Sequence, residues 1–504
     1  MIRGRAHNSV NLIKILLPVL LAGSFVPLAQ GAVSFTTLHS FEPAEGFFPV
    51  GGLVQGVDGN FYGTTYAGGA SWPPDFSSGN IPGGTVFKIT PDGTFTSLYS
   101  FSGPDGHEPY GGALVQGTDG NFYGTTGAGG PEWDPFSMPR DFGHGTIFKI
   151  TSDGILTTLY SFSGPDGAWP TLGLVEADGS FYGMTTVGGP SWNPGQSQGH
   201  GTLFKLSPDG MLTTLHAFNG PDGANPDLGG LVQGRDGNFY GTTAGGGTNG
   251  GHGTVFRVAP DGTLTTLVSF DGTNGAQPEA TLAQATDGSF FGTTEGGGAY
   301  TNASPFGNGT VFKMSPSGTL TTLVSFNGTN GWAPRSMVQG TDGNFYGTTG
   351  YGGATPEGFG TIFKITPDGM LTTLVSFTGT NGPYLGAGGP CTIVQGSDGN
   401  FYGTTGSGGA YQNQFGNGYG TIFRLTVPGA DKPKIVATSR SGGTAIVTWL
   451  ALRSRSYQLQ SATNLTQLNW TASRNPVTAT NTTATASDSI ASDAQRFYRV
   501  VLLP

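Results

Sequence analysis

An all-β fold, a seven-bladed β-propeller of four-stranded blades followed by a small C-terminal β-sandwich, is predicted by three features of the sequence. An octad returns at a near-constant interval, four strand-like segments fill each interval, and the two ends of the array are offset by one segment. The octad is DGNFYGTT at 58–65, with close copies starting at Asp58, Asp119, Asp178, Asp236, Asp287, Asp342 and Asp398. The spacings are 61, 59, 58, 51, 55 and 56 residues. A period of about 50 residues or more built from short strands indicates propeller blades.

Within each repeat the strand-like segments are short, rich in β-branched and aromatic residues, and bounded by Gly, Asp or Pro. In the second repeat they read ALVQG (113–117), NFYGTT (121–126), GTIFKI (145–150) and LTTLYSF (156–162), here termed A, B, C and D. The chain after residue 33 opens with SFTTLHSF, a D segment with nothing before it, and the seventh repeat has A, B and C but lacks D. Ring closure needs this offset, because the first strand then completes the last blade and leaves no open edge.

The alternation of strands sorts the loops between two ends of the sheets. At one end lie the A to B turns, built on Asp58-Gly59 and its equivalents, and the C to D turns, as in Thr90-Pro91-Asp92-Gly93. These place Pro and Gly where turn dihedrals favour them. At the other end lie the D to A loops and the B to C loops, the latter running from 10 to 19 residues. All the length variation falls at this end, and variable loops on a rigid scaffold are where binding residues concentrate.

Composition bounds the function. Gly (91 residues) and Pro (33) recur at fixed places beside Phe, Tyr, Val and Leu, so they read as turn punctuation and not as disorder. Residues 1–31 have the form of an export signal: Arg3, Arg5 and Lys14, an apolar run over 15–28, and a small-residue site at 29–31. The mature chain then has 18 basic and 31 acidic residues, a balance that excludes nucleic acid as an expected partner. No later segment is long and apolar enough for a membrane span, and a secreted or cell-surface monomer is expected. Cys391 is the single cysteine, so no internal disulfide is available and packing must hold the fold.

Residues 32–430 form the expected propeller, and composition changes after them. Residues 431–504 carry two glycines, eight basic and three acidic residues. Their alternating segments IVATS, AIVTWLAL, SYQLQSATN, WTASR and RFYRVVLL predict the small sandwich. Trp449 and Tyr498 resemble the core of fibronectin type III modules.

At the residues FYGTT followed by GTVFK and TPDG, the repeats resemble the GloVer tandem-repeat family of exported bacterial proteins, over roughly residues 33–427. The resemblance implies a bacterial, exported or surface location and carries no catalytic residues, cofactor or ligand.

Five of the seven tryptophans fall in loops of the variable end: Trp72, Trp133 and Trp192 in B to C loops, and Trp169 and Trp332 in D to A loops. Such aromatics suit stacking on sugar rings, with Tyr110, Glu132, Asp134 and Asn193 nearby for hydroxyl hydrogen bonds. The opposing reading has each Trp folding back over its own glycine-rich loop. His144, His200 and His252 precede strand C in three neighbouring repeats, but sheets packed about 10 Å apart cannot bring equivalent positions to one zinc ion. The Asp or Asn before Gly in the D to A loops is a turn signature and lacks the alternating carboxylates of a calcium loop. No metal site, cofactor or catalytic residue is therefore predicted. No repeat carries a distinctive acid or base beyond Glu132, Asp134, Glu295 and Glu357 in irregular loops. The expected function is non-catalytic binding of a glycan or surface component, the alternatives being a glycan-active hydrolase or lyase and a purely structural repeat protein.

Overall fold

The computed structural model describes residues 32–70, 83–110, 113–134, 143–170, 173–193, 199–227, 229–300, 306–354, 358–378, 392–411, 418–441, 444–462, 470–473, 475–489 and 496–503. The chain divides into two compact units, Met1–Ala32 and Val33–Pro504. The expected export signal and Cys391 lie outside the described residues, and all the strands belong to the second unit.

Among the described residues there is no helix. Seven four-stranded antiparallel sheets follow one another, each in the order A-B-C-D. In the second repeat the strands are Val115–Gln116, Phe122–Thr126, Thr146–Ile150 and Leu156–Ser161. Strand A is shorter than its five-residue apolar segment suggests, because only two of its residues pair with strand B. In the seventh repeat, Ile393–Gln395, Phe401–Thr405 and Thr421–Thr426 take Ser34–Ser40 as their fourth strand. The pairing runs from Ser34 opposite Thr426 to Ser40 opposite Thr421.

The strand residues of the octad and its leading aspartate each have a structural reason. Phe and Tyr of FYGTT point to opposite faces of strand B, and each face meets a neighbouring sheet. Tyr62 stacks on Phe122 at 3.9 Å, Tyr123 on Phe181 at 4.0 Å, and so on through Tyr346 and Phe401 at 4.2 Å. Tyr402 stacks on Phe61 at 4.1 Å, joining the last repeat to the first. The glycine that follows leaves room for the Phe of strand C: a methyl group at Gly63 would fall 2.6 Å from the Phe87 ring. The threonine pair ties B to C, with Thr65 Oγ1 2.8 Å from Thr85 Oγ1. The leading aspartate accepts the tyrosine hydroxyl, at 2.7 Å for Asp58 and Tyr62.

A glutamine in strand A stitches neighbouring sheets. The Val57 N–H donates to Gln116 Oε1 at 2.9 Å, and the Ser397 N–H donates to Gln55 Oε1 at 2.8 Å, 342 residues away in sequence. Each bond satisfies a backbone donor at the edge of an A to B turn.

After Val427 the chain forms two small sheets, one of Ile435–Ser441, Thr444–Leu450 and Thr483–Ser489, the other centred on Ser456–Ala462. Trp449 is fully buried, with its ring 6.0 Å from Tyr457; Tyr498 packs at the border of the same core. The segment between is docked on the sixth and seventh repeats. Thr341 Oγ1 donates to the Ala430 carbonyl at 2.8 Å, and the Lys434 N–H donates to the Thr341 carbonyl at 3.1 Å.

Candidate binding site at the D to A loops

The D to A loops carry a short motif, Gly-x-x-Pro, that holds the backbone in one path while two side-chain positions vary. The glycine is required: Gly106 has φ +137°, and a methyl group on it would fall 2.6 Å from Thr126. The residue before proline is left-handed in six repeats, at Phe48 (φ 54°), Glu108 (55°), Trp169 (57°), Asn225 (50°), Gln277 (54°) and Ala333 (52°). For a residue with a side chain this conformation costs about 1–3 kcal/mol and persists only where the surroundings over-determine it. Two backbone hydrogen bonds do so here. The Asn225 N–H donates to the His200 carbonyl at 3.0 Å while its carbonyl accepts from the Ala244 N–H at 3.0 Å. Gln277 makes the same pair with His252, at 2.9 Å, and Glu295, at 2.8 Å. Phe48 makes it with Tyr419 and Tyr66, again joining first and last repeats.

With the backbone fixed in this way, the residue after proline is free to differ, and it reads Val50, Tyr110, Asp227, Glu279 and Arg335 among the described repeats. Four of these side chains, Tyr110, Asp227, Glu279 and Arg335, share one space. Arg335 Nη1 lies 3.0 Å from Glu279 Oε2, and Nη2 lies 2.7 Å from Glu295 Oε1. The Arg335 and Glu279 side chains are 10% and 11% exposed, so the pair is buried. Tyr110, from the second repeat, feels Asp227, Arg335, Glu279 and Glu295 from the fourth to sixth; burial first, and then the three carboxylates, push its phenol up to about 12, with Arg335 opposing. The Tyr66 ring lies 5.5 Å from Tyr110, and Tyr351, which faces Arg335, stacks on Trp332 at 4.2 Å.

Burial raises the Glu279 carboxyl well above the usual carboxylate range. A hydrogen bond to Glu295 and its charge add to this, with Arg335 opposing. Two carboxyls in hydrogen-bond contact cannot both ionise cheaply. Glu279 therefore holds its proton against Glu295 at neutral pH, while Arg335 stays charged beside them.

Beside this trio lies a cavity of about 670 Å³ lined by Asn225, Asp227, His252, Gln277, Glu279 and Phe306, with the glycine backbones of the loops completing it. Phe306 is 78% exposed. The volume falls within the usual range for small-molecule sites, roughly 300–1,000 Å³.

The structure places the sequence-predicted residues in two groups. Tyr110 belongs to the buried cluster, Trp332 reaches it through Tyr351, and Trp169 occupies the same left-handed position as Asn225 and Gln277. Trp133 and Trp192 instead lie over glycine turns. A methyl group at Gly103 would fall 2.4 Å from the Trp133 ring, and one at Gly164 would fall 2.2 Å from Trp192 Nε1. Their rings also pack against His107, at 5.8 Å, and His144, at 5.1 Å. Glu132 is exposed and 3.8 Å from His144 Nδ1, and Asp134 is exposed. Trp72 lies outside the described residues. Sequence reasoning missed Asp227, Glu279 and Arg335, so the reading that distinctive charges stand only in irregular loops is corrected. These three sit inside the regular motif, and comparing the residue after its proline from repeat to repeat would have found them.

The model of the Gloeobacter/Verrucomicrobia repeat matches residues 22–193, 140–306, 191–388 and 298–448. A search of the curated proteins found no match. Among solved structures, that of a streptogramin B lyase is similar at 15% identity with a TM-score of 0.50, covering 78% of this chain and 98% of its own. The PQQ-bound aldose sugar dehydrogenase of Streptomyces coelicolor is similar at 14% identity and a TM-score of 0.39, covering 66% and 97%. PorZ of Porphyromonas gingivalis, a surface component of the type-IX secretion system, is similar at 14% identity and a TM-score of 0.39, covering 88% and 58%. The likeness to the lyase extends to the fold alone, an all-β propeller-like array of four-stranded sheets.

Proposed function

The chain belongs to the Gloeobacter/Verrucomicrobia repeat family, and on that scaffold we propose that it is an exported saccharide-binding protein whose site is the cavity among the D to A loops. In this reading the seven sheets close into a seven-bladed propeller, with the cavity at one mouth of its axis. Residues 431–504 form a fibronectin type III-like sandwich docked by residues 427–434. The aromatic stacks and glutamine stitches that join the last repeat to the first support the closure.

The observation that carries the binding reading is the alternation of planar polar groups along two neighbouring loops. Asn225 and Asp227 on one, and Gln277 and Glu279 on the next, line one cavity with the exposed ring of Phe306 beside them. Amides and carboxyls present donors and acceptors in a plane, as the hydroxyls of a pyranose require, and an aromatic face covers the ring's C–H groups. The backbone hydrogen bonds that hold Asn225 and Gln277 left-handed keep these groups in place before a ligand arrives, which lowers the entropic cost of binding. Trp169, partly exposed, and Tyr110 continue the surface.

A glycan array probed with the mature protein tests this. Binding that falls at least tenfold in Asn225→Ala/Gln277→Ala and in Phe306→Ala is the expected result. Binding that survives both, or no binding to any glycan, overturns the proposal.

A further inference from the structure

We propose that the cavity also cleaves a glycosidic bond of the saccharide it binds, with Glu279 giving a proton to the departing oxygen and Asp227 taking one from the attacking water. This rests on the saccharide reading. It stands on four observations. Of the buried trio, Glu279 is the member that lines the cavity. Asp227 occupies the equivalent position, one residue past the loop proline, in the preceding repeat, and lines the same cavity. Arg335 is nine-tenths buried, contacts both Glu279 and Glu295, and its Nε has no hydrogen-bond partner. The charges of Glu295 and Asp227 oppose ionisation of Glu279, as an acid catalyst that must keep its proton at neutral pH requires.

The step balances with water as the co-reactant. The bond between the anomeric carbon and the glycosidic oxygen breaks with its electron pair going to the oxygen, which takes the Glu279 proton and leaves as an alcohol. The water oxygen bonds to the anomeric carbon, and its proton passes to the Asp227 carboxylate. Proton exchange with solvent then returns Glu279 to its acid form and Asp227 to its base form. Two carboxyls facing one sugar are the minimum set for such a displacement. Glu295 and Arg335 act as positioning residues: as Glu279 becomes a carboxylate, Arg335 at 3.0 Å stabilises the new charge.

The trio has a purely structural alternative, a staple between the fifth and sixth repeats, and the experiment separates the two. The glycan giving the strongest array signal is incubated with the full mature chain, and new reducing ends are counted over time for wild type, Glu279→Gln and Asp227→Asn. Cleavage by wild type that falls about 10²–10⁴-fold in both variants, measured at saturating glycan so that weakened binding does not enter the rate, is the expected result. The Glu279→Gln residual rate should also lose its fall at high pH. A wild type that binds the glycan and leaves it intact overturns the inference and spares the binding proposal, as does a Glu279→Gln variant that cleaves like wild type. No binding to any glycan overturns both. Should Glu279→Gln fail to fold by circular dichroism, Asp227→Asn decides alone, because it leaves the contacts among Arg335, Glu279 and Glu295 in place.

Discussion

Replacing Arg335 with Met removes the cation that contacts two acids at 3.0 and 2.7 Å, in a place where the Arg335 side chain is 10% exposed. Losing one partner of a buried pair costs about 3–5 kcal/mol, because the remaining charge stays buried without compensation. The lower end is expected here, since Glu295 keeps 24% of its side chain exposed and Glu279 already holds a proton. The pH dependence follows from the direction of the Glu279 shift. Its carboxyl is raised in the fold above the ordinary 4.5, so the native state holds a proton that the unfolded chain releases. Its stabilising contribution is complete below that ordinary value and is lost as pH rises toward the raised one, by at most about 1.4 kcal/mol per pH unit. Without Arg335 the Glu279 carboxyl is raised further, and because it already holds its proton at neutral pH in wild type, the deficit of Arg335→Met should be flat from about pH 4.5 to about pH 8 and grow toward about pH 10. Urea unfolding of both proteins at several pH values measures that difference. A deficit under about 1 kcal/mol at pH 8, or one no larger at pH 10 than at pH 8, would refute the reasoning.

Three further expectations concern the scaffold. Deleting residues 33–41 leaves Thr421–Thr426 as an open edge, so light scattering should show self-association; an unchanged monomer with an unchanged melting temperature would remove the closing role of Ser34–Ser40. Gly124→Ala puts a methyl group 2.6 Å from Leu114 Cδ2 and the Phe148 ring and should cost about 1–3 kcal/mol by thermal melting. Gly120→Ala, whose methyl group meets nothing within 4 Å, gives by contrast the backbone cost of φ +83° by itself, a cost that Gly124 does not carry. Trp133→Ala and Trp192→Ala uncover Gly103 and Gly164 and should each lose about 1.5–3 kcal/mol of stability while glycan affinity at the cavity is unchanged. A variant that keeps its stability and loses binding would return these two residues to the binding surface.

What the sequence reveals here divides along a physical line. Phe61, Tyr62, Gly63, Thr64 and Thr65 are all buried, and each contact they make is repeated from sheet to sheet, so the same residues are required at every turn of the array. Periodicity is a direct record of that requirement, relaxed only at Met184 and Phe291, which is why the strands, their order and the first-to-last pairing were legible. The acid and arginine cluster leaves no periodic trace, because it arises where the repeats differ. Glu279 and Arg335 are 56 residues apart, one repeat length, and meet only because equivalent positions of successive sheets face a shared space. Tryptophan, being rare and large, drew the sequence reading to the loops, yet Trp133 and Trp192 are spent covering glycines whose positive φ leaves them without side-chain cover of their own. The left-handed residue and the proline after it explain how such a site can exist at little cost to folding. Backbone hydrogen bonds hold the loop whatever the two side chains are, so Val50, Tyr110, Asp227, Glu279 and Arg335 can stand at one position of one motif. Packing asks nothing specific of that position, and a binding or catalytic group can therefore be placed there repeat by repeat.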